Sequence, residues 1–443
     1  MVAETLPLEF KRRQTVTTVA VMAGVFAALT LGGVPVVVGL TLGAMIGVII
    51  TTDLPLLIVV QRMVVSLDSF VLIAIPLFIL AGVLMNAGGI IQRLFRLSDA
   101  LVGHLVGGLG QVNVLLSLFM GGLSGSSTAD AAMDSKLTWP IMVKSGYSPD
   151  FAAAVTACSA IIAPIIPPSI AMIIYASITG TSVGRLFVAG IIPGSLLALA
   201  MGIVVHVVST RHGYGAHRTR ASAGEVRTAV KNAGWGLALP VLIIGGIRVG
   251  IFTPTEAAGA AAIYAFLVGT LVYRELTWSK VPVVLLETAV VTGVILLIIA
   301  AAAPFAWILT QARVPQLLTE WITGITAEPA LFLLVVNVLL LGLGCLMEVT
   351  SLILVMSPLL APVAAALGID PVHFGIVLIL NLVIGNVTPP FGQLVFVVSA
   401  VTKVPAERIF RQSLLFYVAL VIVLLQVTYL PQSYMWLVEA IGP

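Results

Sequence analysis

Residues 146–177 read GYSPDFAAAVTACSAIIAPIIPPSIAMIIYAS, and residues 368–399 read GIDPVHFGIVLILNLVIGNVTPPFGQLVFVVS. Moved on by 222 positions, the first stretch falls on the second with its punctuation aligned. Gly146 meets Gly368, Pro149 meets Pro371, Pro167 and Pro168 meet Pro389 and Pro390, and Ser177 meets Ser399; upstream, Pro140 meets Pro362. Each copy sets a Pro-Pro pair inside an apolar segment long enough to cross a bilayer. Proline lacks an amide donor and its ring clashes with the preceding turn, so neither segment is one continuous helix. A bilayer accepts such a break only where protein or a cavity covers the freed backbone groups. Two broken helices at matching positions of two repeats point to a transporter binding site. The plainer reading, two proline-kinked packing helices, does not explain why the punctuation is doubled.

Composition agrees. Of 443 residues, 60% are hydrophobic and 9% charged, against roughly 25% charged in ordinary globular chains. Apolar runs of about 20 residues recur along the chain, which predicts an all-α polytopic membrane protein with about 11 transmembrane helices plus two re-entrant hairpins. The net charge of +3 implies no nucleic-acid partner. Cys158 and Cys345 sit in apolar surroundings and form neither a disulfide framework nor a metal motif. The basic Lys11-Arg12-Arg13 precedes a long apolar run without a small-residue cleavage site, so no cleaved signal peptide is read.

In order, residues 1–14 are a polar N-terminal extension, and 15–209 form a first half. In that half, 15–50 make two short spans and 51–67 an interfacial stretch, followed by a span at 69–90 and a connector at 91–100 with Arg93 and Arg96. The hairpin 101–144, the broken helix 150–178 and a span at 186–209 complete it. The polar 210–233 segment reads as a cytoplasmic connecting loop. The second half, 234–430, has spans at 234–251, 255–273 and 281–310, a hairpin at 329–362, a broken helix at 372–400 and a last span at 412–430. The tail 431–443, with Tyr434 and Trp436, reads as interfacial. Placing 210–233 inside puts 14 of the 21 Lys+Arg on the cytoplasmic side and leaves Lys11, Arg12, Arg13, Arg62, Arg185, Arg248 and Arg313 elsewhere. That bias follows the positive-inside rule, although it sets the N-terminus outside against its own basic triplet. Four spans separate the broken helices, so the repeats are inverted and their hairpins enter from opposite faces.

Around each break the sequence offers small oxygens. The first hairpin tip has Ser124, Ser126, Ser127 and Thr128; the first break, APIIPPS, frees carbonyls between about Ile161 and Pro168, a stretch that holds Ala163, Pro164 and Pro167, and adds Ser169. The second tip has Gly344, Glu348, Thr350 and Ser351; the second break, GNVTPPFG, has Gly385, Asn386, Thr388, Pro389 and Gly392. Unwound carbonyls with hydroxyls form a hard-oxygen cage of the kind that holds Na⁺. Ser169, Asn386, Gly392 and Glu348 are the candidate substrate contacts, because helix N-termini restart there and hold anionic groups. Asp130, Glu256, Glu287 and Glu348 lie in or beside apolar segments, where a carboxylate has to be paired or face a wet cavity. Thr253 and Glu256 match a capping box, so Glu256 reads as structural. His104 and His206 are lone histidines on apolar faces. No transition-metal set and no cofactor other than Na⁺ as coupling ion is read.

Taken together, the motifs resemble the large membrane subunit of tripartite ATP-independent periplasmic (TRAP) transporters, the DctM-like family. The matching residues are the block from Gly121 to Ala176, LFVAGIIPG at 186–194, FTPTEAAG at 252–259, GIDPVHFG at 368–375 and IGNVTPPFGQ at 384–393. The resemblance implies Na⁺-driven uptake of an organic acid across the bacterial inner membrane, with an elevator motion of the hairpin-bearing domain. It also implies a separate DctQ-like four-span subunit and a DctP-like periplasmic binding protein. By position, it implies one Na⁺ between Ser124–Thr128 and Ala163–Pro168, and another between Gly344–Ser351 and Gly385–Pro389. The chain departs from the family pattern in a longer N-terminal extension and in Asp134-Ser135, where relatives often carry a small residue such as Gly.

Two other readings compete. A stand-alone ion-coupled organic-anion carrier would share the architecture without needing a binding protein. Gly122-Leu123-Ser124-Gly125 also fits the G-x-S-G motif of intramembrane serine proteases, with His206 as base; a protease has no use for a second, inverted copy of its site. No G-x-x-x-x-G-K-[ST] loop is present for ATP hydrolysis.

Overall fold

In the computed structural model, residues 8–52, 54–325 and 328–441 are described. Among them every regular element is helical. The first half comprises α1 (Leu8–Leu31), α2 (Val36–Thr51), α3 (Leu57–Leu67), α4 (Ala74–Ala87, entered through a 3-10 turn at Phe70–Ile73), α5 (Ile90–Val102), α6 (Gly108–Ser124), α7 (Ser127–Lys144), α8 (Pro149–Ser159), α9 (Ile170–Thr179) and α10 (Val183–His212). The second comprises α11 (Ala223–Arg248), α12 (Pro254–Leu267, extended by a π turn), α13 (Val281–Gln311), α14 (Val314–Ile325), α15 (Pro329–Gly344), α16 (Val349–Ala366), α17 (Pro371–Gly385), α18 (Gln393–Thr402), α19 (Ala406–Gln412), α20 (Leu414–Tyr429) and α21 (Gln432–Ile441).

The 222-residue shift carries well beyond the quoted stretches. It lays α7 on α16 at both ends, α8 on the start of α17, and α5 on α14. It lays α10 on α19 and α20, which are bent 59° apart. The packing is reciprocal: α7 of the first half lies along α18 of the second, and α16 of the second along α9 of the first. Both Pro-Pro bonds, Pro167-Pro168 and Pro389-Pro390, are cis.

Among the described residues, six helices are long and apolar enough to cross a membrane alone: Phe70–Ala87, α10, α11, Pro254–Val272, α13 and α16; the bent α19–α20 pair makes a seventh. The remaining apolar helical stretches are shorter, as in Thr17–Thr30 of α1, Val36–Ile50 of α2 and the halves of the broken helices. The count therefore falls below about 11 if only single long helices are scored, since broken helices cross in pieces.

Several expected boundaries move. The polar segment 210–233 is only partly loop: α11 starts at Ala223, where Ser222 accepts from Glu225 N and Glu225 accepts from Ser222 N, a capping box. The first outer turns of α11 are solvated, which is why their composition reads as loop. The first hairpin arm begins at Gly108 rather than 101, and the second hairpin ends at Ala366 rather than 362. The 91–100 connector is the amphipathic α5, which buries Ile90, Ile91, Leu94 and Leu97 against α6 and α11. In the C-terminal tail, α21 turns Trp436 outward and buries Tyr434, whose hydroxyl bonds His373 Nδ1 at 2.5 Å. Residues 1–7 of the N-terminal extension and 442–443 of the tail lie outside the described residues.

Candidate functional site

The first hairpin turns at Gly125, whose φ of +57° is a left-handed conformation that glycine adopts without steric penalty. A Cβ built at Gly125 would lie 2.5 Å from the Pro168 carbonyl oxygen, and one at Gly121 would lie 3.1 Å from Ala163 Cα. These glycines let the tip seat against the first break: Gly121 meets Ala163, Gly122 comes near the Pro167 carbonyl and Gly125 meets Pro168. Ser126 caps α7 by accepting from Ala129 N at 3.4 Å, and Ser124 Oγ accepts from Ser126 N at 3.4 Å. Ser169 is fully buried. Its hydroxyl caps α9 through Met172 N and donates to the Pro164 carbonyl, so the break's own carbonyl engages it.

The second site repeats the arrangement. A Cβ at Gly344 would lie 3.2 Å from Gly385 Cα, and one at Gly385 would lie 2.7 Å from Gly344 Cα, so the second tip rests backbone-to-backbone on the second break. Thr388 Oγ1 donates to the Gly385 carbonyl at 2.8 Å. Tyr417, reaching from α20, donates to the Val387 carbonyl at 2.9 Å, covering one carbonyl at the break. Asn386 is buried and its Oδ1 has no hydrogen-bond partner among the described residues. Gly392 starts α18 with φ of +31°, where a Cβ would lie 2.9 Å from the Thr388 carbonyl oxygen and from Phe410 Cε1.

Glu348, singled out in the sequence as a functional acid, is the N-cap of α16. Its carboxylate accepts from Thr350 Oγ1 at 2.7 Å and from Ser351 N at 3.0 Å. Ser126, its counterpart under the 222-residue shift, does the same for α7. Glu256 is also a cap, with Thr253 N and Oγ1 both donating to Oε2 at 2.8 Å. The N-termini of α7 and α9 meet at the first tip and break, those of α16 and α18 belong to the second, and each carries partial positive charge.

Sequence reading overlooked two buried polar networks behind the tips. In the first half, Asn113 Nδ2 donates to Thr138 Oγ1 and Thr156 Oγ1, both at 2.9 Å. Ser159 Oγ donates to Asn113 Oδ1 and Ser117 Oγ to Asp134 Oδ2, each at 3.1 Å. In the second, Asn381 Nδ2 donates to Asn337 Oδ1 at 2.8 Å, and Asn337 Nδ2 to Thr428 Oγ1 at 3.1 Å. The signal was available: asparagines within otherwise apolar helices need partners.

Over residues 23–433 the chain matches the family described as the tripartite ATP-independent periplasmic transporter, DctM component. The chain belongs to the DctM family. It is 41% identical to the sialic acid TRAP transporter large permease protein SiaM of Vibrio cholerae, over 93% of this chain and 96% of that one. It is 42% identical to the C4-dicarboxylate TRAP transporter large permease protein DctM of Pseudomonas aeruginosa, over 82% and 85% respectively. The YdaH transporter of Alcanivorax borkumensis, a solved structure, shares the fold with a TM-score of 0.62 at 15% identity, over 87% of this chain and 89% of that one. As a DctM component the chain is a multi-pass inner-membrane permease subunit, and it works with a small membrane subunit and a periplasmic binding protein. DctM proteins are transport subunits rather than enzymes. His206, the base in the protease reading, is exposed on α10.

Proposed function

We propose that this DctM chain carries an organic acid inward in exchange for the free energy of a Na⁺ gradient, with one Na⁺ cage at each hairpin tip. The observation behind this reading is the duplicated seating of a tip on a proline break: Gly125 on Pro168, and Gly344 on Gly385. Each pairing gathers backbone carbonyls and hydroxyls where the helix cannot use them itself. A cage that two separate segments must complete binds its ion only when both are in place, which couples ion occupancy to the shape of the site. Helix N-termini at the same place suit a carboxylate substrate. The similar SiaM and P. aeruginosa DctM proteins are named for sialic acid and C4-dicarboxylates, so the substrate is a carboxylate of that class. An elevator movement of the hairpins and broken helices against the outer helices supplies alternating access.

The test is uptake into liposomes that hold this chain with its small subunit. Accumulation is expected only with the cognate periplasmic binding protein and an inward Na⁺ gradient. Equal uptake of free substrate without the binding protein overturns the tripartite reading and favours a stand-alone carrier.

A further inference from the structure

We propose that Asp130 and Asp134 hold a small monovalent cation of the Na⁺ class, at a site separate from the two tip cages. The acids are one turn apart on α7 and share its buried face, with Asp130 1% and Asp134 0% exposed. Asp134 Oδ2 receives a bond from Ser117, but among the described residues Asp134 Oδ1 and both carboxylate oxygens of Asp130 have no hydrogen-bond partner. The neighbouring donors are already committed, Asn113 to Thr138 and Thr156, and Ser159 to Asn113. The elements packed on α7 are α6, α8, the 3-10 turn at Ala160–Ile162 and α18. Their only ionisable side chains are Asp150 and Cys158, and α7's own Lys136 and Lys144 are exposed. Among the described residues, then, no cationic side chain meets this pair. Buried carboxylates left in that state are strongly unfavourable without a counter-ion.

The second repeat serves as an internal control. The positions 222 residues on are Leu352, buried, and Met356, packed against the core. The same arm therefore packs with apolar side chains, and the fold does not need the acids. Two carboxylates with Ser117 Oγ and Ser159 Oγ make an all-oxygen set, which suits a hard cation rather than a transition metal. Asp130 lies in the first turn of α7, where the helix end offsets part of one negative charge. A monovalent ion offsets the other.

The proposal shares no ligand with the tip cages and does not rest on them. Equilibrium dialysis with radioactive sodium on the purified full-length chain counts bound ions. Wild type is expected to bind one Na⁺ more than Asp134→Met, which installs the second repeat's residue, and to gain more thermal stability from Na⁺ than from K⁺. Should Asp134→Met fail to fold, the near-isosteric Asp134→Asn reads the same difference. Thr388→Val is the independent marker of a tip cage, and its weakened Na⁺ binding adds to the one-ion loss of the Asp134 variant. Equal Na⁺ counts in wild type and a folded Asp134 variant overturn the proposal, as does stabilisation by Ca²⁺ in place of Na⁺. A one-ion difference in a protein whose uptake ignores Na⁺ supports this site and sinks the transport reading.

Discussion

The Tyr175 hydroxyl, on α9 of the first broken helix, donates to the Pro371 carbonyl at 2.9 Å, at the start of the second broken helix. The Tyr175 ring is buried, and a Cβ built at Gly375 would lie 2.5 Å from its Cε1 atom. The two repeats are thus joined at a point where a polar bond and a close backbone approach coincide.

Tyr175→Phe keeps the ring and removes the bond. It is expected to destabilise by about 1 kcal/mol, the net value of a typical intramolecular hydrogen bond. Gly375→Ala drives a methyl into the ring, and overpacking of this kind costs about 1–3 kcal/mol. Thermal unfolding of the purified protein should rank wild type above Tyr175→Phe and Tyr175→Phe above Gly375→Ala. The reverse order for the two variants would mean that the contact is loose.

Thr388→Val preserves shape and deletes the hydroxyl that bonds the Gly385 carbonyl. A cation losing one of about six oxygen ligands binds more weakly without collapse of the fold. Half-maximal Na⁺ for uptake should rise several-fold while the protein stays monodisperse. An unchanged Na⁺ dependence with lowered thermal stability would show that the hydroxyl only satisfies the break.

Glu225 is held below the ordinary glutamate range by the Ser222 amide and then by Arg218, which it meets at 3.2 Å. A carboxylate with a depressed folded-state value stabilises above its unfolded value and loses that contribution as pH falls through the folded one. Glu225→Gln should therefore unfold at a lower temperature than wild type at neutral pH, with the gap closing below about pH 4. A gap that persists in acid would assign the effect to the amide's geometry rather than to charge.

Single cysteines at Gly215 and Gly368, in a background lacking Cys158 and Cys345, test inversion of the repeats. Both positions are exposed. Four spans lie between the broken helices, so an impermeant thiol reagent should reach the two sites from opposite faces of the membrane. Labelling from one face would make the repeats parallel.

What the sequence determined by itself is what local chemistry dictates. A Pro-Pro pair breaks a helix wherever it occurs, and Gly125, at the centre of a Gly/Ser cluster between apolar runs, turns a hairpin whatever surrounds it. The repeat was legible because its punctuation recurs at a constant shift. Composition, by contrast, hid the start of α11: residues 223–233 are polar because the helix runs on past the apolar layer, and only the Ser222–Glu225 cap marks where it begins. Tertiary structure alone decided that α7 lies along α18 and α16 along α9. It alone set the Asn113 amide between Thr138 and Thr156, and left Asp130 and Asp134 buried with no cationic neighbour among the described residues. Those relations join residues tens to hundreds of positions apart. Neither periodicity nor propensity carries information over such distances, whereas packing the two repeats against each other does.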